Sequence, residues 1–287
     1  MASDGLRSRR VTANGVNTHY TEAGGNGPVI VALHGGGAGS SGESGMGLVM
    51  PHLAGDFRVV APDSVGGYGD TDPYAPIPYG LINRVSHLED FVDTLCLDRF
   101  TLTGNSQGAW AAARYASLHP DRVEKLILIA SLTIAQGLGI DQAPTPALKA
   151  LMGYDGTREG MRKLLDALII DKSKISDALI DRRQKSATRP GAMEASKLFA
   201  KNTAALRDDP LLALQLDLRV MLPTLAKQIP TIFIWGDADT FSIPETGKAI
   251  EKAVPAIKFH WIAGAGHQVQ TDKPKESADI IRNFALS

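Results

Sequence analysis

Short apolar runs that alternate with helical patterns constrain this chain most, because strands separated by crossover helices assemble into a mainly parallel sheet. Pro28–Gly35, Phe57–Asp63, Arg99–Gly104 and Glu124–Ala130 are compact buried-strand candidates, and Thr231–Asp237 and Ile257–Gly266 follow much later. Ahead of them RRVTANGVNTHYTEAG alternates like two strands around Asn14-Gly15, the signature of an antiparallel hairpin. From Ser131 to Leu216 the strand signal vanishes, and the chain is helical in pattern and rich in Lys, Arg and Asp. The expected architecture is one α/β domain with a mostly parallel central sheet flanked by helices. Its core spans 1–135 and 216–287, and a helical cap at 136–215 lies over the strand ends.

Composition narrows the function classes. Hydrophobic residues make up 44% and charged residues 21% of the chain, ordinary for a globular protein with a sizeable core. A net charge of −1 implies no basic face, so neither nucleic acid nor an anionic membrane is an expected partner. One cysteine, Cys96, excludes an intrachain disulfide framework and a cysteine-cluster metal site. The opening MASDGLRSRR has no apolar signal-peptide core, and the aliphatic stretch around Leu126 to Ala135 is too short for a membrane span. The expected setting is the cytoplasm, with a small-molecule substrate as partner and a homodimer as an open option. Neither a cofactor nor a metal is expected.

The chemistry centres on Gly104-Asn105-Ser106-Gln107-Gly108, the only G-x-S-x-G pentapeptide in the chain. A strand pattern, RFTLT, precedes it and a helical pattern, AWAAARYASLH, follows it. A strand that turns sharply into a helix holds its serine in a strained geometry, exposed above the sheet. A serine hydroxyl needs a base within reach, and in such folds the order is serine, acid, histidine. Two histidines follow the helical segment. His260 sits inside a strand pattern, whereas His267 follows the loop Ala263-Gly264-Ala265-Gly266 and is the expected base. Asp237 and Asp239 both follow the strand TIFIW, and spacing alone leaves either as the orienting acid. For the oxyanion, one donor is expected from the backbone N–H of Gln107 and a second from the loop His34–Gly39. That loop lacks the Lys-Ser/Thr of a P-loop and the spacing of a dinucleotide site.

Taken together, LHGGGAG, APDSVGGYGDTD, LTGNSQGAW, ASLHPDRVEKLILIAS, RRQKSATRPG, IWGDAD and GAGHQVQ resemble the α/β-hydrolase superfamily along the whole chain. Within it they are similar to the meta-cleavage-product hydrolases, which cut a carbon–carbon bond in dienoates made by aromatic ring fission. The resemblance implies that the acid is Asp239 and that the second oxyanion donor is Gly36, with Gly37 beside it against the substrate. It makes Asn105 a polar contact next to the nucleophile. It also places a carboxylate-binding arginine at Arg183, with Arg182 the alternative one residue away. One position departs: the family carries a tryptophan after the histidine, and here that residue is Gln268.

Ester hydrolysis needs only a triad and an oxyanion hole, whereas carbon–carbon hydrolysis also needs a proton delivered to carbon. Gln268 and this simpler requirement tilt the expectation toward a carboxylic ester, such as a monoester of an aromatic diacid. Cleavage of a ring-fission dienoate is the alternative, and a receptor that retains the triad is the second. A dehalogenase or epoxide hydrolase would carry Asp in place of Ser106.

Overall fold

The computed structural model describes residues 5–287, so the first four residues of the opening segment lie outside it. Eight strands form one sheet in the order β1-β2-β4-β3-β5-β6-β7-β8. They are β1 (Arg7–Ala13), β2 (Val16–Ala23), β3 (Val29–Leu33), β4 (Arg58–Pro62), β5 (Phe100–Asn105), β6 (Val123–Ile129), β7 (Thr231–Gly236) and β8 (Lys258–Ile262). Strands β1 and β2 form the hairpin expected at Asn14-Gly15, whose two turn residues both have positive φ (46° and 82°). That conformation matches the right-handed twist of the strands it joins. Strand β2 meets β4 antiparallel, and every pairing from β4 to β8 is parallel.

The central strands are apolar because helices cover both faces of the sheet. Ile30, Val31, Val59, Val60, Leu102, Ile127, Leu128, Phe233 and Ile234 are wholly buried. Strand β3 lies between β4 and β5, so connections leave its two neighbours on opposite sides. The carboxyl ends of β3 and β5 therefore face a crevice, the usual ligand position in open α/β sheets. Between β6 and β7 the described chain, 132–228, contains helices and no strand.

Helix α1 (Asn83–Thr94) packs on β1 and shows what its apolar stripe carries. Leu88 and Phe91 follow Arg84 at four and seven residues, so the guanidinium is set on the buried face. His87 on the same helix is also buried and shares a 2.8 Å hydrogen bond with Thr18 Oγ1. Burial, helped by the nearby Arg84 charge, pushes its pKa down from 6.5 to about 4. The unfolded chain therefore binds a proton between those pH values that the folded chain excludes, and stability falls as pH drops through this window. At most this is worth roughly 3 kcal/mol. The stability gap between the wild type and His87→Gln should narrow by that order from pH 7.5 to pH 4. Thermal melting across the pH series checks it, and a gap that does not vary with pH would refute it.

Candidate active site

Helix α2 (Gln107–Leu118) begins directly after β5, and the junction is Ser106 with φ 57° and ψ −120°. A non-glycine residue in this region stores roughly 1–3 kcal/mol of strain. Hydrogen bonds from Ser106 N to the carbonyls of Ile129 and Ala130, and from Ser131 Oγ to the Ser106 carbonyl at 2.7 Å, hold it there. The flanking glycines are needed because the turn is packed on backbone. A Cβ on Gly104 would come within 2.3 Å of the Gly108 carbonyl, and one on Gly108 within 2.6 Å of the Leu33 and His34 carbonyls.

His267 and Asp239 reach the same place from the ends of β8 and β7. His267 Nδ1 lies 2.9 Å from Asp239 Oδ2, and both residues are buried. The other oxygen, Oδ1, accepts from the backbone N–H groups of Phe241 (2.7 Å) and Ser242 (2.9 Å). Asp237 is exposed and turns away, accepting from Gly264 N at 2.7 Å. The ring of Phe241 lies against the imidazole with centroids 4.4 Å apart. Among the described residues Ser106 Oγ has no hydrogen-bond partner, so serine and imidazole share a cavity without being joined. Such contacts often close only around substrate.

The glycine loop after β3 presents donors because its carbonyls are occupied. His34 Nδ1 contacts the Gly35 carbonyl at 2.6 Å, Ser40 Oγ donates to that of Gly36 (2.7 Å) and Ser40 N to that of Gly37 (3.1 Å). His34 Nε2 accepts from Ser64 N at 3.0 Å, so the proton sits on Nδ1. Burial, then Arg84, hold the His34 pKa well below its ordinary value. The Ala38 carbonyl accepts from Arg183 Nε (3.2 Å) and Nη2 (2.8 Å). Gly36 in this loop lies against Gln107 at the start of α2, where Gln107 N and Gly108 N have no acceptor among the described residues while Ala109 N and Trp110 N donate to the Ser106 carbonyl. Gly37 and Gly39 both have positive φ (96° and 66°), and Gly39 is where the loop most needs a glycine, because a Cβ there would fall 1.9 Å from the Arg183 carbonyl oxygen.

Arg183 is fully buried, and its helix explains why. In α4, preceded by α3 (Arg158–Leu168) and spanning Asp177–Thr188, Ile180, Arg183 and Ala187 recur at helical spacing on the inward face. Arg182 points outward and pairs with Glu43. Beyond its Ala38 contacts, Arg183 Nη2 reaches Ser40 Oγ at 2.9 Å, and Nη1 has no partner among the described residues. Burial lowers its pKa to about 10, so it stays charged at neutral pH. Asn105 Nδ2 donates to the His267 carbonyl at 3.1 Å, which braces the histidine loop from the strand end.

A cavity of about 500 Å³ is lined by Gly36, Gly37, Asn105, Ser106, Gln107 and His267 on the sheet side, with Asp239 and Arg183 buried behind that wall. Leu148, Leu151, Met193 and Phe199 close it from the inserted helices, the last two carried on α5 (Ala192–Asp208). Gln268 is buried in the same wall, with Oε1 accepting from Thr271 Oγ1 at 3.2 Å. Among the described residues no cluster of three or more His, Cys, Asp or Glu could hold a metal ion, and no helix is long and apolar enough to cross a membrane.

Three supporting residues escaped the sequence reading. Asp272 accepts from Gly266 N (2.7 Å) and Asp171 N (2.8 Å), tying the His267 loop to the inserted helices. Tyr68 and Arg84 both donate to the Gln107 side chain. Of the three, only Arg84 had a readable signal: a charge on the apolar stripe of its helix.

A family model described as the alpha/beta hydrolase fold matches residues 28–274. The chain belongs to the α/β-hydrolase family. This α/β hydrolase is 32% identical over 279 residues to the 2-hydroxy-6-oxo-2,4-heptadienoate hydrolase of Pseudomonas putida, covering 96% of this chain and 95% of that one. It is 31% identical to the 2-hydroxy-6-oxo-6-(2'-aminophenyl)hexa-2,4-dienoic acid hydrolase of Metapseudomonas resinovorans, over 96% and 90% of the two chains. A solved serine hydrolase involved in carbazole degradation superposes with a TM-score of 0.77 at 30% identity, over 97% and 98% of the chains. The protein is thus a hydrolase that resembles the meta-cleavage-product subfamily.

The ester expectation is overturned by these relatives, which are named for 2-hydroxy-6-oxo-dienoates and match almost end to end. That expectation leaned on Gln268 and on the simpler demands of ester hydrolysis. In the structure Gln268 is one tethered panel of the cavity wall and displaces none of Ser106, His267 or Asp239.

Proposed function

We propose that this hydrolase cuts a carbon–carbon bond in a 2-hydroxy-6-oxo-dienoate produced by aromatic ring fission. The observation that carries this is the near full-length match to hydrolases named for such substrates. Ser106 is the nucleophile, His267 the base and Asp239 the acid that holds the imidazole with its proton on Nδ1. Attack on the keto carbon puts negative charge on its oxygen, which the N–H groups of Gly36 and Gln107 receive. The bond to the neighbouring carbon breaks as that carbon takes the proton that His267 removed from Ser106, leaving an acyl group on Ser106 and a neutral His267. Water activated by His267 then releases the acyl group as a carboxylic acid. Helices of 136–215 act as the cap that keeps bulk water from this sequence. An exposed lone cysteine fits a reducing compartment, which we take to be the cytoplasm.

Gly37 and Asn105 line the end of the cavity that takes the substrate carboxylate, and Arg183, buried directly behind Gly37 and Ala38, is its cation, with the unpartnered Nη1 as the donor that a shift of this loop would bring to it. The test follows loss of dienoate absorbance by wild type, Arg183→Gln and Arg182→Gln, alongside p-nitrophenyl acetate as a neutral ester. Dienoate turnover by the wild type is expected. Arg183→Gln disturbs the Ala38 carbonyl and slows both substrates, but the dienoate should lose roughly ten- to a hundredfold more, the value of a charge-assisted contact. Arg182→Gln, which only frees Glu43, should change little. Wild-type protein that leaves every dienoate intact would sink the function, and equal losses on both substrates would sink the carboxylate role of Arg183.

A further inference from the structure

The side chain of Gln107 lies directly against Gly36, where the two backbone donors meet. A Cβ built on Gly36 would come within 2.7 Å of Gln107 Oε1 and 2.9 Å of Nε2. Oε1 accepts from Arg84 Nη1 at 3.2 Å and from Tyr68 Oη at 3.3 Å. Arginine has no acceptor, so the amide oxygen must be the atom that faces it, which decides the orientation of the amide. Both lone pairs of Oε1 are then engaged. Nε2 has no hydrogen-bond partner among the described residues, and the residue lines the cavity beside Ser106.

Arg84 is itself unusual. Its guanidinium is buried, makes no ion pair with a carboxylate among the described residues, and leaves Nε without a partner. It lies 5.3 Å from the centre of the Tyr68 ring, and its Nη2 also donates to the His34 carbonyl. A buried cation without a counter-charge is costly unless negative charge arrives nearby. Attack by Ser106 creates such a charge on the far side of the Gln107 amide. A cation bound to Oε1 polarises the amide and strengthens Nε2–H as a donor.

We propose that Gln107 Nε2 is a third donor to the oxygen that becomes negative when Ser106 attacks, and that Arg84 and Tyr68 position and polarise it. Burial lowers the Arg84 pKa to about 10, which leaves it charged through the neutral range. Gln107 is then a catalytic residue through both its backbone N–H and Nε2–H, while Arg84 is a positioning residue that reaches the oxygen through the Gln107 amide. The inference rests on the assignment of Ser106 as nucleophile in the proposed function.

The test is a double-mutant cycle on the full chain, with kcat and KM measured separately on a ring-fission dienoate and on p-nitrophenyl acetate. Gln107→Leu should lower kcat by roughly ten- to a hundredfold, the order expected for one oxyanion donor, with KM changed by less than about threefold. Arg84→Met also frees the His34 carbonyl and so loses activity in both backgrounds, but its loss in kcat should be about tenfold larger beside Gln107 than beside Leu, the part that passes through the amide. Should Arg84→Met fail to fold, Tyr68→Phe takes its place with a smaller loss that Gln107→Leu must abolish. A Gln107→Leu enzyme with kcat within twofold of wild type overturns the proposal. So does a positioning variant that costs the same in both backgrounds. If the wild type consumes the ester and no dienoate, the proposed function has failed, and the same variants on the ester judge this inference alone. A wild type that turns over neither overturns both.

Discussion

Ser106→Ala is expected to fold and to lose roughly 10⁴- to 10⁶-fold in kcat on a dienoate, because nucleophile, base and acid work as a unit. Folding should survive because alanine keeps the Cβ and every backbone contact of the turn: the N–H to Ile129 and Ala130, and the carbonyl that Ser131 Oγ binds. The remaining rate would come from the oxyanion donors and from substrate held in the cavity. A companion variant reads the strain itself. Ser106→Gly should be equally inactive yet melt higher, since glycine tolerates φ 57° without a Cβ penalty. Loss of activity measured by absorbance, with retained secondary structure by circular dichroism, is the check. A variant with a tenth of wild-type turnover would remove Ser106 from the mechanism.

The second large effect separates two aspartates only two residues apart. Asp239→Asn is expected to cost about 10⁴-fold in kcat. Oδ1 of Asp239 accepts two backbone N–H groups, so an asparagine must keep its oxygen there and turn its NH₂ toward His267 Nδ1. The imidazole then has to accept at Nδ1 and carry its proton on Nε2, the tautomer that cannot take a proton from serine. Asp237→Asn should stay within a few-fold of wild type, because its side-chain oxygen can still accept from Gly264 N. Steady-state kinetics of the two variants decide it, and the reverse order of losses would mean that Asp239 is not the orienting acid.

Much of the fold was legible because it rests on local rules. Six strands lie in compact apolar runs, and the other two lie in the alternating segment whose hairpin turn is written in Asn14-Gly15. The sharp turn at Ser106 was equally legible, since a strand, a glycine-flanked serine and a helix are neighbours in sequence. The ester expectation fails because one substituted position, Gln268, and the simpler demands of ester chemistry say less about the bond cut than the similarity of the whole chain. Side-chain substitution at one wall position changes what a pocket touches, whereas the reacting groups stay where the strand ends hold them.

By itself, then, the sequence determined the alternation that builds the sheet, the elbow that presents Ser106, and the loop that ends in His267. Each of these depends on residues adjacent along the chain. Only the tertiary structure decided which carboxylate meets His267, since Asp237 and Asp239 leave the same strand end and differ only in what lies across from them. It also decided between Arg182 and Arg183, through the rotation of one helix against the glycine loop. The Arg84–Gln107 contact joins residues 23 apart through the fold, with no sign in either local pattern that they touch. Hydrogen-bond direction is a property of three-dimensional neighbours, and so the orientation of the Gln107 amide could be settled only there.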